Sequence, residues 1–166
     1  MATGTQVSVE EYLSTSYKPA CEYIDGVLIQ KPMPTFQHSV IQGRIAVLMS
    51  LFPDYHALPE LTVRLRDAEW LVPDVAIVKR DQVEEPYPTK PVHACIEILS
   101  PEDRFAKVLA KLEDYFTWGV PYCWVIDPMK QKAWNVEPDG EPNEVPRGGA
   151  LRAGEIEISL SDLFVA

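Results

Sequence analysis

Residues 92–99, with the sequence VHACIEIL, decide the fold, because a run this apolar is typical of a central strand covered on both faces. One acid, Glu97, interrupts the run. Side chains alternate along a strand, so Cys95, Glu97 and Leu99 are predicted to share one face. A carboxylate in that position loses several kcal/mol of hydration unless a cation or hydrogen bonds replace the water. Glu97 is therefore predicted to have a partner.

Two kinds of partner fit Glu97. The first is an arginine, Arg64 or Arg66, in a structural ion pair. The second is a divalent ion shared with Asp74, which opens the apolar run VAIV directly after a proline. Pro-Asp is also a common turn dipeptide. Asp74 is therefore a candidate metal ligand only because its predicted strand directly precedes that of Glu97. Two such carboxylates supply the hard oxygen ligands that Mg²⁺ or Mn²⁺ prefers, and the bound ion would lower the pKa of its water.

The remaining patterns predict one domain, residues 1–166, with a mixed sheet flanked by helices rather than the regular alternation of a doubly wound fold. The Asp-Gly pair at Asp25 and Gly26 predicts an N-terminal hairpin over residues 22–29. Helices are predicted from a cap at Ser8 to about residue 15, over residues 36–51, and from Ser100 to about residue 118. Strands are predicted over residues 58–65, 71–78, 92–99, 122–126, 133–136 and 155–160, with a helical turn at 161–164.

Composition limits the class of protein. The net charge is −10, which argues against a nucleic-acid binder that works by bulk positive charge. It leaves room for an enzyme whose metal bridges carboxylates to phosphate. No apolar run approaches the ~20 residues of a membrane span, and residues 1–11 lack the pattern of a secretory signal. The cysteines form no CxxC pair and are predicted to be buried thiols in a reducing cytoplasm; they are Cys21, Cys95 and Cys123.

The sequence lacks the motifs of several other kinds of functional site. Neither GxGxxG nor GxxxxGK[ST] occurs, so a phosphate-binding loop is not predicted. A zinc site is not expected from three histidines (His38, His56 and His93) without CxxC or HExxH. Without GxSxG, a hydrolase nucleophile elbow is unsupported.

Five segments together resemble the Uma (second type) family of restriction endonucleases, a branch of the PD-(D/E)XK nuclease superfamily. They span almost the whole chain in the family's order: EYIDG at 22–26, His38, VPDV at 72–75, IEILSP at 96–101 and GVPYCWVIDP at 119–128. The resemblance implies a restriction-endonuclease-like fold, with Asp74 and Glu97 as ligands of Mg²⁺ or Mn²⁺. It also implies that Glu22 completes or supports the metal site, and that His38 touches phosphate. On the residues alone, Glu22 would be a solvated strand residue and His38 a structural histidine.

The chain departs from the superfamily pattern at Leu99, where the ExK lysine would stand. The resemblance places the lysine on the following helix instead, at Lys111. On that helix Lys111 lies at the edge of the predicted apolar arc, near Tyr115, and Lys107 lies further towards the polar side. A lysine at the edge can bury its stem and reach inwards; the alternative is a solvated lysine. Many family members have an acid where Lys107 stands, so Asp103 or Asp114 would have to substitute.

Three functions follow as hypotheses. The first is a Mg²⁺-dependent endonuclease acting on DNA, with a homodimer expected from the resemblance. The second is an inactive nuclease fold kept as a binding or regulatory module, suggested by the missing ExK lysine, by Lys107 and by the charge of −10. The third is a metal-dependent phosphoesterase acting on small nucleotides, which an acidic surface tolerates better than long DNA.

Overall fold

The computed structural model describes residues 6–165, so the first five residues inspected for a secretory signal lie outside it. The helices are α1 (Val9–Ser14), α2 (Phe36–Leu48), α3 (Phe105–Trp118) and α4 (Leu160–Leu163), with short 3₁₀ helices at Met49–Leu51 and Arg80–Gln82. The strands are β1 (Cys21–Ile24), β2 (Val27–Gln30), β3 (Tyr55–Pro59), β4 (Val63–Arg66), β5 (Glu69–Leu71), β6 (Val75–Lys79), β7 (Ala94–Ile98), β8 (Tyr122–Asp127), β9 (Lys132–Val136), β10 (Pro142–Glu144), β11 (Ala150–Ala153) and β12 (Ile156–Ser159).

A six-stranded mixed sheet forms the centre of the fold, in the order β10-β9-β8-β7-β6-β3. β7 and β8 are parallel, and the other neighbouring pairs are antiparallel. Strand β7 is buried along its whole length, as its apolar sequence predicts. Antiparallel pairing sets Val75 of β6 opposite Ile96 of β7. One step further along this register brings Asp74 to the position across from Glu97.

The two faces of the central sheet carry separate apolar clusters. On one face, Ile96 and Ile98 pack with Ile41 and Ile45 of α2 and with the β11–β12 hairpin. On the other face, Cys95 packs with Leu112 and Tyr115 of α3. Leu99 belongs to this second cluster, so the face predicted for Cys95 and Leu99 is confirmed.

A second, four-stranded antiparallel sheet, in the order β2-β1-β5-β4, lies on the α3 side of the molecule. Its β1–β2 hairpin turns at Asp25 and Gly26, and both have positive φ, of 49° and 88°. Such a turn favours Asp-Gly because glycine adopts positive φ without steric cost. The predicted hairpin is confirmed. This sheet brings Glu22 of β1 towards the central sheet.

Two predicted strands are wrong, because each run crosses from one sheet to the other. Residues 58–65 divide into β3 of the central sheet and β4 of the second sheet. Residues 71–78 divide in the same way, with Pro73 between β5 and β6. A proline cannot donate to a strand ladder, which suits a change of sheet at that point. Alternation of apolar residues does not reveal such a change.

The predicted start of the third helix is also wrong. Helix α3 begins at Phe105 rather than at Ser100. Ser100 donates both its backbone N–H and its hydroxyl to Oδ2 of Asp103, each over 2.8 Å, and the Asp103 N–H donates to the Ser100 carbonyl. The segment therefore closes a turn on itself instead of capping a helix. The predicted end holds, with Gly119 at a φ of 116°.

Three further predictions agree with the structure. Ser8 caps α1 by accepting a hydrogen bond from the Glu11 N–H, and the terminal helical turn is α4. The three cysteines are buried free thiols, as predicted. No helix within residues 6–165 has the length and apolar character needed to span a membrane.

Candidate active site

A cleft of about 650 Å³ opens between the hairpin, the start of α2 and the polar side of α3. All five side chains predicted as site residues line it: Glu22, His38, Asp74, Glu97 and Lys111. Four of these are buried polar residues, exposing between 4% and 7% of their surface: Glu22, His38, Asp74 and Glu97. Charged groups this deeply buried need compensating partners, and the cleft supplies them.

Asp74 is held by three donors. Its Oδ2 accepts a 2.7 Å hydrogen bond from the backbone N–H of Ile98 on the neighbouring strand. Its Oδ1 lies 2.8 Å from Nζ of Lys31 and 3.2 Å from Nε2 of His38. Nδ1 of His38 is buried and makes no hydrogen bond to a described residue. The carboxylate is therefore fixed in one orientation by both sides of the cleft.

Glu97 and Glu22 share one lysine. Nζ of Lys111 lies 2.8 Å from Oε1 of Glu97 and 2.6 Å from Oε1 of Glu22. The hydroxyl of Tyr115 donates a 2.9 Å hydrogen bond to the same Oε1 of Glu97. Lys111 thus buries its stem beside Tyr115 and turns its amine inwards, which is the orientation expected of a lysine at the edge of the apolar arc.

Burial and neighbouring charges have opposite effects on the pKa values of these groups. Burial raises the pKa of Glu97 to about 7, with Lys111 lowering it and Asp74 raising it further. Burial also disfavours ionised Asp74, but the hydrogen bond from His38 and the charge of Lys31 outweigh it and hold the pKa of Asp74 well below its usual value. Desolvation lowers the pKa of Lys111, and the adjacent carboxylates of Glu97 and Glu22 more than reverse this. The two acids therefore differ in how readily they ionise.

Arginines do not partner Glu97. Arg64 pairs with Asp67, and Arg66 pairs with Asp25 and Glu69 at the far end of the second sheet. The alternative of a structural Glu97–arginine pair is wrong. The compensating cation is Lys111, on the helix packed over the strand.

The other residues considered for the site are exposed or form hydrogen bonds elsewhere. Lys107 is exposed and forms no ion pair within the described residues, whereas Lys111 is inside the cleft. Asp103 is engaged by the turn at Ser100. Asp114 is exposed at the rim of the cleft.

Sequence reasoning missed three polar residues of the cleft. Nζ of Lys31, just after β2, donates to Glu60 as well as to Asp74. Glu60, just after β3, adopts a φ of 55°, a conformation that is costly for a side-chain-bearing residue and is often found at functional sites. Gln42 lies one turn after His38 on α2, and its amide donates to the Asp74 carbonyl over 2.7 Å. Nothing local in the sequence links these residues, because their contacts span 18 to 43 positions.

Val72, in the linker between the two sheets, is held at the cleft through both of its backbone polar groups. The backbone N–H of Val72 donates to Oε1 of Glu22 over 2.9 Å. The carbonyl of the same residue accepts a 2.8 Å hydrogen bond from Nζ of Lys31. The linker between β5 and β6 is thus bound on both sides by residues of the hairpin region.

The donor set suits a divalent cation. Oε2 of Glu97 and Oε2 of Glu22 accept no hydrogen bond from a described residue, and Oδ2 of Asp74 has a lone pair left beside the Ile98 N–H. Fully ionised, the four carboxylates (Glu22, Glu60, Asp74 and Glu97) exceed the charges of Lys31 and Lys111 by two. Within residues 6–165, no three His, Cys, Asp or Glu side chains form a ready-made metal cluster. Mg²⁺ tolerates this, because it keeps several waters and needs only one or two carboxylates.

Comparisons with known proteins agree with the fold. The model of the Uma2 family, described as "Putative restriction endonuclease", matches residues 9–162. Among solved structures, the chain is similar to a crystal structure described as a putative nuclease belonging to DUF820 from Anabaena variabilis ATCC 29413. The identity is 27% and the TM-score 0.79, over 95% of this chain and 97% of that chain. The comparison with curated proteins gives no match.

Proposed function

This chain belongs to the Uma2 family of restriction-endonuclease-like proteins, and we propose that it is a divalent-metal-dependent endonuclease that hydrolyses phosphodiester bonds in DNA. Family membership and the similar solved nuclease support the nuclease class. The metal dependence and the DNA substrate are the further steps of the proposal. The observation that carries them is the cross-strand register of Asp74 and Glu97, two buried acids at one end of adjacent strands that line one cleft.

In this proposal Asp74 and Glu97 hold Mg²⁺ or Mn²⁺, and Glu22 supports the site. The ion would supply a Lewis acid and a water of lowered pKa. His38 and the Ile98 N–H hold Asp74 in place, since both contact its carboxylate. Tyr115 holds Glu97 through Oε1 and leaves Oε2 for a ligand.

Lys111 has the role of the missing ExK lysine. Its ammonium is held between Glu97 and Glu22 at the wall of the cleft, within reach of a phosphate or of a water beside it. A fixed cation there would orient the attacking water and stabilise the negative charge that develops on the phosphate. Leu99 cannot take this role, and a lysine from the packed helix reaches the same carboxylate.

The experiment that tests the proposal is cleavage of supercoiled plasmid and linear duplex with Mg²⁺, with Mn²⁺ and with EDTA. Wild type is expected to cut with either ion and not with EDTA. Glu97→Gln is expected to lower the rate by about 100-fold or more, the scale for losing a group that stabilises the transition state. Glu102→Gln is the matched control, because Glu102 lines the same cleft but is exposed. Cleavage in EDTA, or by Glu97→Gln at the wild-type rate, would contradict the proposal.

Two rival functions predict different outcomes, which a metal titration and a panel of substrates would reveal. Lysines already balance the negative charges of Asp74 and Glu97, so these acids do not need a metal ion. This observation favours an inactive binding module. Absence of Mn²⁺ and Mg²⁺ binding at millimolar concentration would select that function. A cleft of about 650 Å³ with an excess of acids favours a phosphoesterase of small nucleotides. Hydrolysis of nucleotides without cleavage of plasmid or oligonucleotide would select that one.

A further inference from the structure

We propose that the ammonium group of Lys31 fills a position in the cleft where a second divalent ion could otherwise bind, so that the chain binds a single divalent ion. The part of this statement that concerns the divalent ion rests on the proposed function. The part that concerns Lys31 rests on the contacts of its own side chain.

Lys31 is surrounded by oxygen in the manner of a bound cation. Its Nζ donates to Oδ1 of Asp74 over 2.8 Å, to Oε2 of Glu60 over 2.9 Å and to the carbonyl of Val72 over 2.8 Å. An ammonium group has three donors, and all three are used. Two carboxylates and a backbone carbonyl are also the ligand types that hard divalent cations take. The side chain is 12% exposed, so this cation is part of the interior of the cleft.

The oxygens around Lys31 are fixed by groups other than Lys31. Gln42 donates to Oε1 of Glu60 and to the carbonyl of Asp74. The backbone N–H of Glu60 also donates to the Asp74 carbonyl, over 3.2 Å. The N–H of Val72 is bound by Glu22. Removal of the lysine side chain therefore leaves an ordered set of oxygens with an unbalanced negative charge.

This position differs from the one proposed for the divalent ion. Lys31 and His38 both approach Oδ1 of Asp74, whereas Oδ2 carries only the Ile98 N–H. Lys111 approaches Oε1 of Glu97 and leaves Oε2 without a hydrogen bond from the described residues. The oxygens available to an added ion are therefore not those that Lys31 uses. Lys31 acts on the reaction through Asp74, as a positioning residue.

The test is the number of Mn²⁺ ions bound per chain, measured by calorimetric titration of the full chain. Wild type is expected to bind one ion, and Lys31→Ala is expected to bind two, because its oxygens become a second site. Lys31→Arg keeps a positive charge and is expected to bind one ion. Lys107→Ala is the matched control, since Lys107 is an exposed lysine of the same cleft, and is expected to bind one.

A folded Lys31→Ala variant that still binds one ion, or wild type that binds two, overturns the inference. If Lys31→Ala fails to fold, Lys31→Gln is titrated in its place and is expected to bind two ions, because a neutral amide leaves the charge of Asp74 and Glu60 unbalanced. Wild type that binds no ion while the variant binds one would defeat the proposed Asp74–Glu97 site and support the Lys31 inference. Binding by neither protein would defeat both.

Discussion

Lys111 of α3 reaches the hairpin, where its Nζ lies 2.6 Å from Oε1 of Glu22, while the same ammonium lies 2.8 Å from Glu97 of the central sheet. One side chain thus compensates two buried acids from two different sheets. Its loss would leave both acids without their cation, so catalysis and stability are expected to depend on it together.

Lys111→Met is expected to abolish metal-dependent cleavage and to lower the free energy of unfolding by about 3 kcal/mol, the scale for leaving a buried charge unpaired. Urea denaturation and plasmid cleavage measure the two effects. Lys107→Met is the control four positions earlier on the same helix, and is expected to change the free energy of unfolding by less than about 0.5 kcal/mol. Equal effects of the two variants would show that Lys111 has no special role in the site.

Tyr115→Phe deletes the hydroxyl that donates to Oε1 of Glu97 and leaves the ring in place. A hydrogen bond to a charged group contributes about 1.5–3 kcal/mol, so a decrease of that size in the free energy of unfolding is expected. Urea denaturation checks it. Tyr17→Phe is the control, because the Tyr17 hydroxyl makes no hydrogen bond within residues 6–165. An unchanged midpoint for Tyr115→Phe would show that the bond contributes nothing.

His38→Leu is expected to weaken Mn²⁺ binding by about tenfold or more, the scale for losing a group that orients a metal ligand. His38→Gln is expected to restore part of the affinity, because its amide nitrogen reaches towards the position of Nε2, the atom 3.2 Å from Asp74. Calorimetric titration measures both affinities. Full affinity in His38→Leu would assign His38 to packing alone.

His93 is expected to contribute to the stability of the apo protein at neutral pH, and this contribution is expected to be lost as the pH drops below about 6.5. Burial lowers the pKa of His93, despite its hydrogen bond to the Ala153 carbonyl, and Lys79 lowers it further. The unfolded chain then binds a proton more readily than the folded one. This contribution is complete above the unfolded pKa and is lost as the pH falls towards the lower pKa of the folded state.

His93→Gln removes this titration and keeps a donor for the Ala153 carbonyl. Urea denaturation between pH 5 and 7.5 is expected to show that the free energy of unfolding of wild type falls relative to that of the variant as the pH decreases. Parallel curves for the two proteins would mean that the proton affinity of His93 is the same in the folded and unfolded states.

The sequence alone indicated two acids of the candidate site, Asp74 and Glu97, and the strand that carries Glu97. Glu97 is visible because a carboxylate in a buried apolar strand is anomalous, and its neighbour Asp74 follows from the order of strands. The lysine on α3 required the family resemblance, since Lys107 and Lys111 differ only in their angle around the helix.

Other features of the structure cannot be predicted from local sequence patterns. The change of sheet at Pro73 depends on pairing between distant strands, and the turn at Ser100 depends on which direction the Asp103 side chain takes. Lys31 precedes Pro32 in a segment without a clear period, and its three acceptors lie 29 to 43 positions away. Contacts of that range are set by the assembled fold, so no window of sequence contains them.

Val72 lies in the linker between two separately hydrogen-bonded sheets, and the hairpin holds this linker through the bonds of Glu22 to the Val72 N–H and of Lys31 to the Val72 carbonyl. If heating breaks these two bonds, the sheet that carries the hairpin can separate while the six-stranded sheet keeps its own backbone hydrogen bonds. Loss of the proposed cleavage activity on heating is then expected several degrees before the far-ultraviolet circular dichroism signal is lost. An insertion beside Val72 would widen that interval.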